Sequence, residues 1–141
     1  MLKTLIGDYP VTQQFRTRTD RFEFAQYQGS VATAFKRVVR NLEFDVAEMA
    51  ITTYLTAKTY KKPFTALPVF VLRQFHHAPI VYNVNAGVQS PRDLEGKKVG
   101  VRAYTVTTGV WARGILATEY GVDLSKVTWV LADEEHVAEY H

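Results

Sequence analysis

The order of predicted elements along the 141-residue chain favours an α/β fold with a mostly parallel sheet. Segments with strand patterns alternate with segments whose apolar residues recur at helical spacing, which is typical of parallel sheets covered by helices. The apolar fraction is 47% and the charged fraction 22%, as in ordinary globular proteins. The chain has no cysteine, which excludes thiol nucleophiles, disulfides, iron–sulfur clusters and cysteine-containing zinc sites.

The first half of the chain predicts three strands and two helices. Residues 2–7 are a short apolar run, residues 21–27 alternate between apolar and polar side chains, and residues 44–51 are nearly continuously apolar, as in a strand covered on both faces. Apolar side chains recur every three or four residues from Val31 to Leu42, which indicates an amphipathic helix, and Ser30 can cap its start. A second helix is expected from 52 to 60.

The second half predicts further strands, at residues 64–72, 78–84, 97–103 and 127–131. Pro68 favours an edge position or a bulge for the first of them. Ser90-Pro91 has the signature of a short helix start, with the capping hydroxyl before the proline. A longer helix is expected from 105 to 120, and the acidic run at 133–136 predicts the first turn of another.

Charge and hydropathy restrict the choice of partner and compartment. The net charge is +3 with scattered basic residues, so we expect no nucleic acid and favour a small anionic ligand. The longest apolar run, residues 64–72, is far too short to span a membrane. Asp8 and Pro10 interrupt the N-terminus before a secretory segment could form. We therefore expect a cytoplasmic protein that does not associate with membranes.

Candidate ligand-binding residues follow the predicted strands. In open α/β sheets, ligands bind outside the carboxyl ends of strands, where helix N-termini offer unpaired amides. Hydroxyl, carboxylate and phenol groups occur at three such places: Asp8 and Tyr9, Thr52 and Thr53, and Tyr104, Thr105, Thr107 and Thr108. These groups suit a carboxylate-bearing ligand. The alternatives are that the threonines cap helices and that Asp8 and Tyr9 form a simple turn.

Titratable residues near strand ends supply candidate chemistry. Arg73 could hold a carboxylate through two parallel hydrogen bonds, and a histidine beside it could move a proton. Glu48 lies in an otherwise apolar strand, so hydrogen bonds or an ion pair must satisfy it. For His77 the alternative is a surface histidine, and for Glu48 a structural ion pair. His76, His77 and His136 have no spacing typical of metal ligands, so no metal site is predicted.

Several stretches together resemble a known family. Residues 44–50, 66–77 and 93–101, continued by 111–116 and 119–122, are similar to the type 2 periplasmic-binding-protein fold. More narrowly, they resemble the branch that contains 4,5-dihydroxyphthalate decarboxylase. The resemblance implies one α/β lobe at 1–82, incomplete without a C-terminal return, then a crossover at 83–91 and the opening half of a second lobe at 92–141. Because family members are much longer, we expect a homo-oligomer or a missing remainder of the chain.

The resemblance also implies an activity. It is the non-oxidative decarboxylation of a dihydroxylated aromatic dicarboxylate, a carboxy-lyase reaction in an interlobe cleft that needs no cofactor because the substrate is its own electron sink. Arg73 with residues 105–108 would hold a carboxylate, His77 would deliver a proton, and Glu48 or Tyr9 would accept one. The alternative is a solute-binding protein that passes a small organic anion to an ABC transporter.

Two departures from the family pattern leave the substrate open. Ala50, Thr52 and Thr53 stand where the family has serines, and His76 stands where it has an arginine.

Overall fold

The computed structural model describes residues 1–141, and the chain divides into two compact units. Unit 1 contains Met1–Arg73 and His136–His141, and unit 2 contains Gln74–Glu135. The lobe limits expected from the sequence, at 82 and 92, stay a prediction. The C-terminal residues thus return to the unit that contains the N-terminus.

Unit 1 is built on a three-stranded parallel sheet with the order β2-β1-β3. Its strands are β1 (Leu2–Leu5), β2 (Phe22–Phe24) and β3 (Val46–Ala47). Leu2 pairs with Phe22 on one side of β1, and Thr4 pairs with Val46 on the other. The three strands predicted here are confirmed, each shorter than the apolar pattern suggested.

The helices of unit 1 are α1 (Gln13–Arg16), α2 (Phe35–Asn41) and α3 (Ile51–Thr59). A 3-10 turn, Val31–Ala34, precedes α2, and the Ser30 hydroxyl accepts a hydrogen bond from the Ala32 amide. The apolar face of α2 packs on β1 in a core that contains Leu5, Phe35 and Val38. The amphipathic helix and its capping serine are therefore confirmed.

Unit 2 has a second parallel sheet, in which β4 (Lys98–Val101) pairs with β5 (Thr128–Leu131). Helix α4 (Thr107–Thr118) connects them, and its Leu116 packs with Val122 and Val127. Both strands and the long helix were predicted. The short helix start is also confirmed, as a 3-10 turn at Pro91–Leu94 with a capping box between Ser90 and Asp93. No helix in the structure is long and apolar enough to cross a bilayer.

Two predicted strands and one predicted helix are absent. Residues 64–72 and 78–83 have no regular structure, and a 3-10 turn (Val84–Ala86) begins where the second predicted strand would end. No neighbouring strand completes the hydrogen bonds of these residues, and Pro68 and Pro79 each remove an amide donor. Residues 133–136 are not helical either. The Asp133 amide instead bonds to the Arg102 carbonyl, which extends the chain beyond β5.

Glu43 couples the stability of unit 1 to pH. Arg37 Nε donates to its carboxylate at 2.7 Å and Lys3 Nζ lies 3.2 Å away. The hydrogen bond from Arg37 is the main cause that lowers the pKa of Glu43 from its usual 4.5 to about 2. Because the folded pKa is depressed, this contribution to stability is present above about pH 4.5 and is lost as the pH falls toward 2.

We therefore expect the free energy of unfolding of Glu43→Gln to fall less steeply than that of the parent as the pH is lowered from about 4.5 to 2. Urea unfolding at a series of pH values would measure it. Glu23→Gln, on an exposed residue of β2, is the control and should keep the parental pH dependence. An unchanged profile in Glu43→Gln would contradict the assignment.

Candidate functional site

The ends of β1 and β3 bring Glu48 and Tyr9 together. The Glu48 amide bonds to the Leu5 carbonyl at 2.7 Å, which continues the sheet ladder and turns the carboxylate toward the end of β1. Its Oε1 accepts the Tyr9 hydroxyl at 2.7 Å, and its Oε2 accepts the Gly7 amide at 2.9 Å. Both partners come from the segment just after β1, so parallel topology alone creates the contact.

The protonation of Tyr9 follows from this arrangement. Burial raises the pKa of Tyr9 well above its ordinary value, and the hydrogen bond to Glu48 raises it further. The phenol therefore stays protonated and acts as a donor, which leaves Glu48 as the proton acceptor of the pair. A Cβ at Gly7 would overlap the end of the Tyr9 ring, so a larger residue there would displace the phenol from Glu48.

Asp8 lies beside this pair at the surface. The Asp8 amide does not bond to Glu48; it donates to the Tyr27 hydroxyl at 3.1 Å. The Asp8 side chain is exposed, so a ligand can reach it.

The threonines at the start of α3 differ in accessibility. Thr52 is half-buried, whereas Thr53 is 1% exposed and its hydroxyl lies 2.9 Å from Nδ1 of the buried His136. The ring of Phe35 meets His136 edge-on at 5.8 Å. Sequence reasoning missed this pairing, because His136 is far along the chain and carries no local signal that it returns to unit 1.

In unit 2 the predicted anion-binding loop already holds a carboxylate. The amides of Tyr104 and Thr105 and the Thr105 hydroxyl all donate to Glu135, the Thr105 amide at 3.0 Å. The segment thus has the donor geometry of a carboxylate site, and its occupant in this structure is the chain's own side chain. Sequence analysis placed Glu135 in a helix and did not foresee this contact.

Arg113, on α4, contacts the Tyr104–Thr105 loop. Arg113 is only 8% exposed, whereas Trp111, two residues earlier on α4, is 52% exposed. The Arg113 guanidinium donates to the Tyr104 carbonyl at 2.6 Å and lies 3.7 Å from the centre of the Tyr104 ring. Its stacking on an aromatic face explains why a charged group is stable there.

Thr107 and Thr108 lie in the first turn of α4 and are half-buried. The alternative that threonines cap the starts of α3 and α4 is wrong, because no threonine occupies either N-cap position. The N-cap residues are Ala50 for α3 and Val106 for α4, and neither has a side-chain cap.

Arg73 and the two histidines lie in the segment without regular structure. Arg73 is exposed, with its guanidinium 5.3 Å from the centre of the Phe70 ring. His77 is also exposed, and its Nε2 lies 3.4 Å from a carboxylate oxygen of Glu119. His76 stacks on Trp111, with ring centres 6.0 Å apart, and its Nδ1 is buried without a hydrogen-bond partner. The two adjacent histidines thus have different surroundings.

The structure contains no group of three or more histidine, aspartate or glutamate side chains that could hold a metal ion.

Parallel sheets with polar side chains at the carboxyl ends of their strands define a class of α/β ligand-binding proteins. Within this class the chain belongs to the NMT1/THI5-like family, which matches residues 33–140 and has a periplasmic-binding-protein-like fold. The resemblance inferred from the sequence is thereby confirmed.

Two curated relatives are named 4,5-dihydroxyphthalate decarboxylase. The one from Comamonas testosteroni is 39% identical over 98 residues, which is 68% of this chain and 29% of the relative. The one from Pseudomonas putida is 38% identical over 98 residues, again 68% of this chain and 38% of the relative. The match therefore spans less than two-fifths of either relative.

Proposed function

We propose that this chain takes part in the non-oxidative decarboxylation of a dihydroxylated aromatic dicarboxylate of the 4,5-dihydroxyphthalate type. The observation that carries the proposal is its 38–39% identity to two relatives named for that activity. The geometry supports it with two pairs suited to proton transfer, His77 with Glu119 and Glu48 with Tyr9.

The reaction exchanges a proton for carbon dioxide at one ring carbon. A hydroxyl group para to the departing carboxylate releases electron density into the ring when it loses its proton. A proton then adds to the carbon that bears the carboxylate and gives a quinonoid intermediate. Cleavage of the carbon–carboxylate bond releases carbon dioxide and restores the aromatic ring as a phenolate, which takes back the proton that the hydroxyl had lost. The protein must therefore deliver one proton to carbon, accept and return another at oxygen, and hold the second carboxylate.

His77 is the proton donor in this proposal. Its imidazole is accessible, and the Glu119 carboxylate 3.4 Å from its Nε2 orients the ring. Glu48 is the acceptor of the hydroxyl proton. Tyr9 cannot take that part, because it stays protonated and donates to Glu48.

Arg73 is proposed to hold the retained carboxylate. Its guanidinium is exposed and lies over the ring of Phe70. Hydroxyl groups at the starts of α3 and α4, those of Thr52, Thr107 and Thr108, are proposed as further donors. Asp8 would accept a hydroxyl group of the ligand, and an anionic ligand at the Tyr104–Thr105 loop would have to replace Glu135.

Arg73→Lys should weaken ligand binding more than it slows the bound complex. The substitution keeps the charge but loses the planar pair of parallel donors. We expect the dissociation constant to rise about tenfold, which corresponds to the loss of one charge-assisted hydrogen bond. Isothermal titration with 4,5-dihydroxyphthalate would measure it. Arg18→Lys, at an exposed position of unit 1, is the control, and equal affinities in both variants would remove Arg73 from the site.

The experiment that tests the proposed function measures binding and carbon dioxide release separately. The purified chain would be incubated with 4,5-dihydroxyphthalate, with the Comamonas testosteroni relative as a positive control. Release of carbon dioxide with formation of the dihydroxybenzoate is the expected result. Tight binding without release would favour the solute-binding alternative, and neither binding nor release would contradict both.

A further inference from the structure

The Tyr104–Thr105 loop of unit 2 offers a complete set of hydrogen-bond donors to one carboxylate, that of Glu135. The Tyr104 amide donates to one carboxylate oxygen, and the Thr105 amide, at 3.0 Å, and the Thr105 hydroxyl donate to the other. Hydrogen bonds to an ionised acceptor are about twice as strong as those between neutral groups. The loop therefore recognises a carboxylate through both of its oxygens.

Arg113 aims this loop at the carboxylate without touching Glu135 in the bond that it makes. Its guanidinium donates to the Tyr104 carbonyl at 2.6 Å and lies over the Tyr104 ring. The Tyr104 carbonyl and the Thr105 amide belong to one planar peptide unit and point in opposite directions. The bond from Arg113 therefore turns the Thr105 amide toward the side on which Glu135 lies.

The residues on either side of the loop are also fixed by packing. Ala103 is 0% exposed and Val106 is 7% exposed. The first turn of α4 approaches the loop closely at Gly109, where a Cβ would lie 2.9 Å from the Val101 side chain and 3.3 Å from the Ala103 carbonyl oxygen. The donors are thus held by the core of unit 2 and by Arg113, so they stay in place when Glu135 leaves.

Glu135 reaches the loop from a segment that the sheet does not hold. The last backbone hydrogen bond between this segment and the end of β4 joins the Asp133 amide to the Arg102 carbonyl at 2.7 Å. Beyond it the chain has no regular structure, Asp133 and Glu134 are exposed, and Glu135 is half-buried. Rotation of the Glu135 side chain therefore moves its carboxylate into solvent without breaking a hydrogen bond of the sheet.

We propose that Glu135 is an internal competitor for this carboxylate site. Its side chain fills the loop until a small carboxylate ligand displaces it. Because the ligand binds only molecules in which the loop is open, its apparent affinity is reduced by the fraction of such molecules. Anions that contact the loop alone are thereby disfavoured, and a ligand with further contacts is selected. The inference rests on the proposed function only for the class of ligand, a carboxylate.

Phthalate is the probe for the test, because it carries two carboxylates but has no hydroxyl group and so cannot undergo the proposed reaction. Its binding to the complete chain would be followed through the backbone amide resonances. We expect the resonances of Tyr104, Thr105 and Glu135 to shift together as phthalate replaces the side chain. The resonances of β5 should stay the same.

Glu135→Ala should bind phthalate about tenfold more tightly than the parent, or more, because the loop is then always open. Glu135→Gln should also bind more tightly, since a neutral amide competes less well for these donors. Glu134→Ala is the matched control: it removes the same charge from the neighbouring exposed residue and should change the affinity little. Adding Thr105→Val to Glu135→Ala should remove most of the gain, because the hydroxyl donor is lost.

Four outcomes would overturn the proposal. Phthalate affinity could be unchanged or weaker in both Glu135 variants, or the gain could be equal in Glu134→Ala, which would make it a general effect of charge. Phthalate could leave the Tyr104 and Thr105 resonances unshifted. Both Glu135 variants could lose the circular dichroism spectrum of the parent, which would make Glu135 a structural part of unit 2.

The outcome is separable from that of the proposed function. If the chain released no carbon dioxide from 4,5-dihydroxyphthalate, displacement of Glu135 by phthalate would still be measurable. If phthalate did not displace Glu135, decarboxylation of a ligand held by Arg73 would still be possible.

Discussion

Replacing His77 with glutamine should lower the rate of carbon dioxide release by about 10²–10⁴-fold, the range over which general acid catalysis contributes. Glutamine keeps a hydrogen-bonding group of similar size but cannot transfer a proton. Binding of 4,5-dihydroxyphthalate should change little, because the proposed role of His77 is confined to the proton-transfer step. Single-turnover release and equilibrium binding would be measured on the same preparation.

The matched control is His141→Gln, an exposed histidine at the C-terminus. It should leave both quantities unchanged. Glu119→Gln should have an intermediate effect on release, since Glu119 acts only through His77. Full activity in His77→Gln would remove that residue from the mechanism and direct attention to His76, whose Nδ1 is buried without a partner.

Replacing Glu48 with glutamine should also lower release by about 10²–10⁴-fold, because the hydroxyl proton of the substrate then has no acceptor. The amide oxygen of glutamine can still accept hydrogen bonds from Gly7 and Tyr9, so the fold around β1 should be retained. The decrease should appear in the rate at which the enzyme–substrate complex releases carbon dioxide, and not in the affinity for the substrate. The rate of release as a function of pH would be the informative measurement.

The variant Tyr9→Phe tests whether Tyr9 only positions the Glu48 carboxylate or also accepts the substrate's proton. It removes the hydroxyl that donates to Glu48 at 2.7 Å but leaves the carboxylate and its bond from Gly7. We expect a smaller loss than in Glu48→Gln, because the carboxylate that accepts the proton is still present and has lost only one of its two positioning hydrogen bonds. If Tyr9→Phe abolished release while Glu48→Gln did not, the two roles would have to be exchanged.

Several features of the candidate site were predictable because they depend on local patterns. The apolar run at 44–51 placed Glu48 within a strand, and the alternation of strands and helices placed Tyr9 at the carboxyl edge of the same sheet. In the structure β3 ends at Ala47, so Glu48 lies just beyond the strand at that edge. A buried carboxylate must have partners. The sequence did not predict which partners these are, because the Gly7 amide has no sequence signature and Tyr9 was equally open to other roles.

The C-terminal residues show the limit of local reasoning. The acidic run at 133–136 is a good first turn of a helix by composition, yet Glu135 binds the Tyr104–Thr105 amides and His136 binds Thr53. These contacts join residues at least 30 positions apart. Their combined hydrogen bonding outweighs a weak helical preference, and only the folded chain brings the partners within reach.

The sequence by itself determined the α/β class, the two amphipathic helices observed at 35–41 and 107–118 within the predicted 30–42 and 105–120, the parallel strands and the family, because each depends on residue spacing along a short stretch. The tertiary structure alone decided that residues 64–72 and 78–84 do not form strands and that Glu135 occupies the predicted anion-binding loop. The physical reason is the same in both cases. A strand and a carboxylate site are each completed by a partner distant in the chain, and a local pattern carries no information on whether that partner is present.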